Sequence, residues 1–271
     1  MGGVQAPRLV ASDVDGTLLD PHDQVTPRAA AVIGRAVAAG VGFVLVTGRP
    51  PRWIPPVVAA VGVGRLAVCA NGSVLYDAVE DRVLWSQTLE PAALADIAQA
   101  VADVLPTSGL AVERVGTSAQ DRDAFVAEPA YRHAWPDSDN AITERSDLLT
   151  APAVKMLVRC SELRSEAMVA ALAPVVGHIG DLTFSHPGGL VEISPPGVTK
   201  ATGLSEVAGR LGVDVADVIA FGDMPNDLEM LRWAGHGVAM GNAHPVLHDV
   251  ADEITATNGE DGLALVLERW F

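Results

Sequence analysis

The chain has 271 residues, of which 49% are hydrophobic, so it can bury one large core or two smaller ones. Its formal net charge of −16 argues against nucleic acid or an anionic membrane as a partner, because both attract basic surfaces. No apolar run reaches the roughly 18 residues that a membrane helix needs, and residues 1–8 lack the apolar centre of a secretory signal. We therefore expect a globular cytoplasmic protein, and composition leaves its oligomeric state open between a monomer and a weak dimer.

The beginning of the chain alternates strands and helices. The predicted elements are a strand over 9–12, a helix over 27–39 and strands over 41–46 and 65–70. This spacing predicts parallel strands joined by crossovers, and hence a doubly wound, Rossmann-like α/β sheet. The three strands run into Asp13, Thr47 and Asn71. We expect these residues to meet at one edge of the sheet, because α/β sheets bind ligands at the carboxyl ends of their strands.

The pattern changes after Asn71. A hairpin over 74–76 and 83–85 precedes elements without βαβ spacing, namely helices over 91–105 and 161–174 and strands over 110–115, 153–159, 182–185 and 190–194. The stretch 117–150 supports no assignment. The alternation then resumes with helices over 200–212, 226–234 and 259–270 and strands over 217–221 and 237–240. We therefore predict one domain formed by 1–86 and 195–271, with an inserted α+β domain formed by 87–194.

Carboxylates follow two of the predicted strands. Asp13 and Asp15 come after the first strand, and Asp223 and Asp227 come after the strand over 217–221. Carboxylates gathered in this way repel one another unless a cation lies among them, and Mg²⁺, which prefers oxygen ligands, fits this set best. The histidines are scattered without the spacing of zinc ligands. The sequence therefore predicts a magnesium site at this edge of the sheet.

Groups that can bind a phosphoryl group are predicted at the same edge. Thr47 offers a hydroxyl, the loop through Gly48 offers backbone N–H groups, and Lys200 offers an ammonium at the start of a helix. Lysine occurs in the chain only at positions 155 and 200. We therefore favour a functional role for Lys200 over the alternative of an exposed lysine at a helix start.

Some residues have two explanations. Arg49 and Asn71 lie on neighbouring predicted loops, where either can bind substrate or bridge to the inserted domain. For Arg49 a structural salt bridge is an equal alternative, because surface arginines often pair without function. In the inserted domain, segments 131–135 and 186–189 can contact substrate, although turns and core are the favoured explanation for both.

Four segments resemble, in order, the motifs of the haloacid dehalogenase-like (HAD) hydrolase superfamily: DVDGTLLD at 13–20, VTGRP at 46–50, Lys200 in GVTKATGL, and GDMPNDLEML at 222–231. ANGS at 70–73 and the long insertion resemble the Cof-type branch, subclass IIB, which carries an α+β cap. The resemblance covers the whole chain. It implies a HAD core formed by 1–86 and 195–271 and a substrate-specificity cap formed by 87–194.

The resemblance also implies catalytic roles. Asp13 would be the nucleophile that forms an aspartyl-phosphate, and Asp15 would be the general acid and base. Thr47 and Lys200 would bind the phosphate. These roles agree with general chemistry, because a covalent intermediate divides one difficult step into two easier ones.

The metal shell is implied in the same way. Asp13, Asp223 and the backbone carbonyl of Asp15 would hold Mg²⁺. Asp227 and Asn226 would complete or orient that shell, and Asn226 would also contact substrate.

The implied function is a Mg²⁺-dependent phosphatase of small phosphorylated metabolites, such as sugar phosphates, phosphorylated cofactors or nucleotides. A phosphomutase is the first alternative, because a related capped branch returns the phosphate to sugar. A non-enzymatic phospho-switch, similar to response-regulator receivers, is the second. Asp15 and the inserted domain count against a switch, which needs neither a leaving-group acid nor a lid.

Overall fold

The structure, a computed structural model, describes residues 6–121, 124–133 and 140–271. The chain divides into two compact units. Unit 1 contains the described residues up to Leu84 together with Thr199–Phe271, and unit 2 is Trp85–Val198. Within the described ranges, no helix has the length and hydropathy needed to span a bilayer.

The described residues contain the following elements. The strands are β1 (Leu9–Ser12), β2 (Gly42–Val46), β3 (Leu66–Cys69), β4 (Val74–Asp77), β5 (Arg82–Ser86), β6 (Gly109–Glu113), β7 (Phe125–Ala127), β8 (Asn140–Ile142), β9 (Lys155–Arg159), β10 (Asp181–Thr183), β11 (Leu190–Ser194), β12 (Val218–Gly222), β13 (His236–Ala239) and β14 (Glu253–Ile254). The α-helices are α1 (Pro27–Ala38), α2 (Ile54–Val61), α3 (Pro91–Val104), α4 (Arg145–Leu148), α5 (Ser165–Val176), α6 (Lys200–Leu211), α7 (Leu228–Trp233), α8 (Pro245–His248) and α9 (Gly262–Leu267).

The larger sheet has the strand order β14-β13-β12-β1-β2-β3-β4-β5. All neighbouring pairs from β14 to β3 are parallel, and β4 pairs antiparallel with β3. The central strands are almost completely buried, as is usual for a parallel sheet. This architecture confirms the predicted doubly wound, Rossmann-like α/β fold.

The register of the central strands places their ends together. Ser12 at the end of β1 pairs with Phe221 of β12 on one side and with Leu45 of β2 on the other. The backbone N–H of Asp13 donates to the carbonyl of Phe221 at 3.0 Å. The loops that follow these strands therefore begin at the same edge of the sheet, as predicted.

Helix α1 forms where the sequence predicts it. The hydroxyl of Thr26 accepts the backbone N–H of Ala29 at 3.1 Å, and Pro27 takes the first helical position, where no donor is needed. Gly40, with φ of 90°, turns the chain away from the helix axis. Local capping chemistry thus sets both ends of α1.

Helix α2 is absent from the predicted elements, which leave 54–61 as a linking segment. Its first turn contains Pro55 and Pro56, which are tolerated there because the first N–H groups of a helix have no internal acceptor. The segment 117–150 supported no assignment. Its described residues contain β7, β8 and α4, which span only three or four residues each and are too short to show periodicity.

Unit 2 contains a sheet of order β10-β11-β9-β6-β7-β8. Its pairs are antiparallel except for β7 with β8. Helices α3 and α5 pack on one face and form a core with apolar strand residues. Unit 2 therefore has the α+β architecture that the sequence predicts for the inserted domain, whereas the predicted bounds 87–194 stay a prediction.

Candidate active site

The turn after β1 passes directly beneath Asp223. Gly16 has φ of 76°, and a Cβ added there would lie 2.3 Å from a carboxylate oxygen of Asp223. Glycine is thus required at this position both for its backbone conformation and for its small size. The next residue, Thr17, donates its hydroxyl to the other oxygen of Asp223 at 2.9 Å. The turn therefore orients a side chain from the loop after β12.

Three buried carboxylates form a cluster at this edge. Asp13, Asp223 and Asp227 each place an oxygen within 4.8 Å of the others. Burial raises the pKa of Asp13 well above its usual value, against the lowering effect of the Lys200 ammonium. Burial, followed by the charge of Asp227, raises the pKa of Asp223 to about 7. Fully ionised, the three carboxylates would carry more negative charge than the Lys200 ammonium balances.

The cluster fits a hard divalent cation. It offers only oxygen ligands, which is the donor set that Mg²⁺ prefers. A cation among them would favour the ionised forms of Asp13 and Asp223, which burial disfavours. One residue before Asp227, the buried side-chain oxygen of Asn226 has no hydrogen-bond partner among the described residues. The residues present therefore suit the predicted magnesium site.

Lys200 lies within the cluster and is completely buried, so the alternative of an exposed lysine is wrong. Its Nζ donates to Asp13 Oδ1 at 2.7 Å and to Asp227 Oδ1 at 2.6 Å. Burial alone would lower the pKa of Lys200, but these two carboxylates outweigh that effect and raise it. Lys200 is therefore a charged ammonium that joins the loops after β1 and β12.

A close backbone contact fixes the position of Lys200. A Cβ added at Gly72 would lie 2.0 Å from the carbonyl oxygen of Thr199, which precedes Lys200. Thr199 is also the N-cap of α6, and its hydroxyl accepts the backbone N–H of Thr202 at 3.3 Å. The glycine of the ANGS segment thus lets α6 begin close to the loop after β3.

Asp227 is held on both of its oxygens. Oδ1 accepts from Lys200, and Oδ2 accepts the backbone N–H groups of Asp223 and Met224, each at 3.0 Å. A Cβ added at Gly222 would lie 2.5 Å from Asp227. This geometry is better suited to orienting Lys200 and the Asp223 loop than to direct metal ligation.

Asp15 departs from the predicted convergence of four carboxylates. Its side chain is 56% exposed, and it forms two hydrogen bonds with Arg49, of 2.5 and 2.9 Å. The metal-competent cluster of the described residues contains the other three carboxylates. Only the backbone carbonyl of Asp15 stays a predicted ligand, as the resemblance implies. Arg49 therefore forms a salt bridge, which was one of its two explanations, and its partner Asp15 is itself a predicted site residue.

The other predicted site residues meet in the loops after β2 and β3. The buried hydroxyl of Thr47 accepts the backbone N–H of Arg49 at 3.1 Å, across Gly48. The backbone N–H of Asn71 donates to the carbonyl of Thr47 at 3.0 Å, and the Asn71 side chain accepts from Asn226 at 3.1 Å. Thr47, Asn71 and Asn226 are thus connected across three loops.

Sequence reasoning missed Asn242 and underestimated Thr17. Asn242 donates its side-chain N–H to the carbonyl of Gly16 at 2.9 Å, and its own side-chain oxygen accepts from the backbone of Asn258. Its position three residues after the end of β13 was an available signal, since it is another polar residue in a loop that follows a strand of this sheet. The sequence places Thr17 in the turn after the first strand, but the hydrogen bond by which its hydroxyl orients Asp223 was not predicted.

The chain is similar to known proteins over nearly its whole length. A family model described as haloacid dehalogenase-like hydrolase matches residues 10–267. The 5-amino-6-(5-phospho-D-ribitylamino)uracil phosphatase YitU of Bacillus subtilis is 29% identical over 276 residues, covering 98% of each chain. The HMP-PP phosphatase of Serratia proteamaculans is 30% identical over 270 residues, covering 97% of this chain and 95% of its own.

Solved structures give the same match. A haloacid dehalogenase-like hydrolase from Bacteroides thetaiotaomicron superposes with a TM-score of 0.75 at 26% identity, covering 98% of this chain and all of its own. A subclass IIB sugar phosphatase of that superfamily has a TM-score of 0.81 at 18% identity, covering 97% of this chain and 98% of its own. The second likeness concerns the fold alone.

Proposed function

Because the chain belongs to the haloacid dehalogenase-like hydrolase family, we propose that it hydrolyses phosphate esters of small metabolites, with Mg²⁺, through an aspartyl-phosphate on Asp13. The family match and the relatives named as phosphatases confirm the predicted superfamily and its hydrolase class. The observation that carries the finer proposal is the buried Asp13, held by Lys200 beside two further carboxylates.

Asp13 is suited to act as the nucleophile. Its Oδ1 accepts from Lys200 at 2.7 Å, which leaves Oδ2 to attack phosphorus. Lys200 has three N–H donors, and two of them hold Asp13 and Asp227. The third is available for a phosphate oxygen. The Thr47 hydroxyl, which accepts from the backbone of Arg49 and can donate its own proton, would hold a further phosphate oxygen, as positioning and charge stabilisation dominate phosphoryl transfer.

Asp15 is suited to move protons. It lies two residues after Asp13, and its exposed carboxylate is not tied into the buried cluster. It would protonate the leaving oxygen and then take a proton from the water that hydrolyses the intermediate. To do so, Asp15 must break its hydrogen bonds with Arg49 and form one with the leaving oxygen of the substrate. The guanidinium of Arg49 is then free to bind a phosphate oxygen.

Asp13, Asp223 and the backbone carbonyl of Asp15 would hold the metal. Bound there, Mg²⁺ would neutralise charge on the phosphoryl oxygens. Thr17 orients Asp223 for this role through the 2.9 Å hydrogen bond. Asp227 would act by orienting Lys200, since both of its oxygens already accept hydrogen bonds.

Unit 2 would select the substrate, because the residues of the cluster recognise only phosphate and metal. The named substrate of YitU, a phosphorylated ribitylaminouracil, and HMP-PP, named for the Serratia relative, are the first compounds to test. Both belong to the predicted class of small phosphorylated metabolites.

The test is a phosphate-release screen with these compounds and with p-nitrophenyl phosphate, in Mg²⁺ and in chelator. We expect Asp13→Asn to lower kcat by about 10³-fold or more, because the nucleophile is lost. Asp20→Asn serves as the matched control, since within the described ranges the side chain of Asp20 accepts from the backbone of its own turn, at His22 and Gln24. If Asp13→Asn hydrolyses every substrate as fast as the native protein, the proposal fails.

A further inference from the structure

The loop that follows β13 contacts both of the turns that carry the proposed metal ligands. Asn242 donates its side-chain N–H to the carbonyl of Gly16 at 2.9 Å. Two residues later, the backbone N–H of His244 donates to the carbonyl of Asp223 at 2.7 Å. We call residues 241–244 the bridging loop. It connects the turn after β1 with the turn after β12, and it contributes no carboxylate of its own.

The bridging loop is itself held by the segment that follows β14. A Cβ added at Gly241 would lie 2.8 Å from the backbone nitrogen of Thr257, so the two segments are in direct backbone contact. The side-chain oxygen of Asn242 accepts the backbone N–H of Asn258 at 2.9 Å. Asn242 thus uses its acceptor to fix its own position and its donor to hold the turn after β1.

The carbonyl of Gly16 lies between two groups that are proposed to bind the metal. Before it in the chain is the carbonyl of Asp15, whose direction depends on the backbone angles of Asp15 and Gly16. After it is Thr17, whose hydroxyl donates to Asp223 at 2.9 Å. Gly16 also packs directly against Asp223, since an added Cβ would lie 2.3 Å from its carboxylate. A displacement of the peptide group after Gly16 therefore moves both ligands.

The backbone of Gly16 does not select this conformation by itself. Its φ of 76° and ψ of −2° lie in the left-handed region, and glycine leaves this region readily because it has no Cβ that restricts its backbone. A hydrogen bond to the Gly16 carbonyl from outside the turn selects one orientation of the peptide group. Hydrogen bonds that orient metal ligands matter for affinity, and the loss of one typically weakens metal binding by about 10–100-fold.

A purely structural role is the alternative for Asn242. Its side chain is exposed, and a single exposed hydrogen bond contributes only modestly to stability. Asn258 offers a comparison within the same turn, because its side-chain N–H donates to the carbonyl of Leu19 at 2.8 Å. Two asparagines thus hold one turn by the same kind of bond. Of these two, Asn242 holds the peptide group that lies between the metal ligands.

We propose that Asn242 positions the Mg²⁺ ligands by holding the peptide group after Gly16 from the bridging loop. Through that peptide group it aims the carbonyl of Asp15 and, through Thr17, the carboxylate of Asp223. The proposal rests on the proposed function, which assigns Mg²⁺ to this site. In this role Asn242 acts through its neighbours and is not itself a ligand.

The test measures Mg²⁺ binding to the full chain by isothermal titration calorimetry, without substrate, at pH 8, where most of Asp223 is ionised. We expect Asn242→Ala to raise the Kd for Mg²⁺ about tenfold, because the peptide group after Gly16 is then free to turn. Asn258→Ala is the matched control, since it removes an asparagine donor from the same turn and leaves Gly16 held. It should keep the Kd within about twofold of the native value, well below the change expected at Asn242.

Urea unfolding of the metal-free variants tests the structural alternative. Each variant loses one hydrogen bond to a carbonyl of the same turn, so their unfolding midpoints should fall by similar small amounts. Similar midpoints with different Kd values support a positioning role. A Kd in Asn242→Ala close to the native value, an equal rise in both variants, or a native protein that binds no Mg²⁺ overturns the proposal.

Failure of this proposal can be told from failure of the proposed function. Calorimetry needs no catalysis, so weaker Mg²⁺ binding in Asn242→Ala than in Asn258→Ala supports the proposal even if no compound is hydrolysed. In the opposite case, the native protein releases phosphate and Asn242→Ala reaches half of its maximal rate at the native Mg²⁺ concentration. The phosphatase function then stands, and the positioning role of Asn242 is overturned.

Discussion

The two lysines of this chain are both buried beside carboxylates, yet their surroundings differ. Lys200 begins a helix and joins loops at the edge of the unit 1 sheet, where three carboxylates surround it and two have raised pKa values. Lys155 lies within a strand of unit 2, where Glu192 and Ser185 complete a hydrogen-bonded group. When its carboxylates are ionised, the first cluster has an excess of negative charge that suits a metal ion. The second pairs a carboxylate with an ammonium and a hydroxyl.

The largest expected effect distinguishes the two lysines by activity. Lys200→Met removes the ammonium that holds Asp13, so we expect kcat for p-nitrophenyl phosphate to fall about 10³-fold, as for loss of a main charge-stabilising donor. The variant also leaves Asp13 and Asp227 facing each other without a cation. Steady-state kinetics at saturating Mg²⁺ measures the loss. A decrease of less than tenfold would show that Lys200 is structural, like its counterpart.

The second effect concerns the stability of unit 2. Lys155→Met leaves Glu192 charged and buried without its ammonium partner, so we expect the free energy of unfolding to fall by about 3–5 kcal/mol. Urea unfolding measures this change. In the double variant Lys155→Met/Glu192→Met, most of the loss should be recovered, because the unpaired charge of Glu192 is removed as well. A single variant within about 1 kcal/mol of native would contradict a buried ion pair.

The third effect is a pH dependence that arises from the unit 1 cluster. The pKa of Asp223 is raised to about 7 in the folded protein, so between its unfolded value and pH 7 the folded state holds the extra proton. Stability of the metal-free protein should therefore fall as pH rises, by about 2–3 kcal/mol between pH 5 and pH 7. Urea unfolding in chelator at several pH values measures the slope.

Magnesium binding and the variant Asp223→Asn test the same pH dependence of stability further. Mg²⁺ should stabilise the protein more at pH 7 than at pH 5, because at pH 5 it competes with a proton for Asp223. Asp223→Asn should flatten the metal-free slope. If the stability of the metal-free protein instead rises between pH 5 and pH 7, the raised pKa of Asp223 is contradicted.

The two clusters differ in how much of each could be predicted from the sequence, and the unit 1 cluster was the more predictable. Asp13, Thr47 and Asp223 follow strands, and the end of a strand is readable from the change from apolar to polar residues. Their meeting at one edge followed from parallel topology alone. The side-chain partners did not follow, since the pairing of Asp15 with Arg49 and the hydrogen bond of Thr17 to Asp223 depend on loop conformation.

The buried charged residues of the unit 2 sheet were less predictable for a different reason. Glu113, Lys155 and Glu192 lie far apart in the chain, and only the register of β6, β9 and β11 brings them together. Register is a tertiary property that one strand does not encode. Segment 131–135 was noticed as a possible contact with substrate. The rings of Tyr131 and His133 lie 5.1 Å apart, centre to centre, and Trp135 lies outside the described residues.

The smallest expected effect tests how each cluster is supported. Asn242 donates to the carbonyl of Gly16 at 2.9 Å, and Ser185 donates to Glu192 at 2.5 Å. We expect Asn242→Ala to cost about 1 kcal/mol of stability and Ser185→Ala about 1–2 kcal/mol, because Ser185 bonds to a charged group.

The two variants should also differ in activity, because the Asn242 bond fixes the turn that carries Asp13 and Asp15. For p-nitrophenyl phosphate, kcat should therefore fall more in Asn242→Ala than in Ser185→Ala. Equal kcat values would show that the turn after β1 keeps its geometry without Asn242, through Thr17 and the β1 ladder alone.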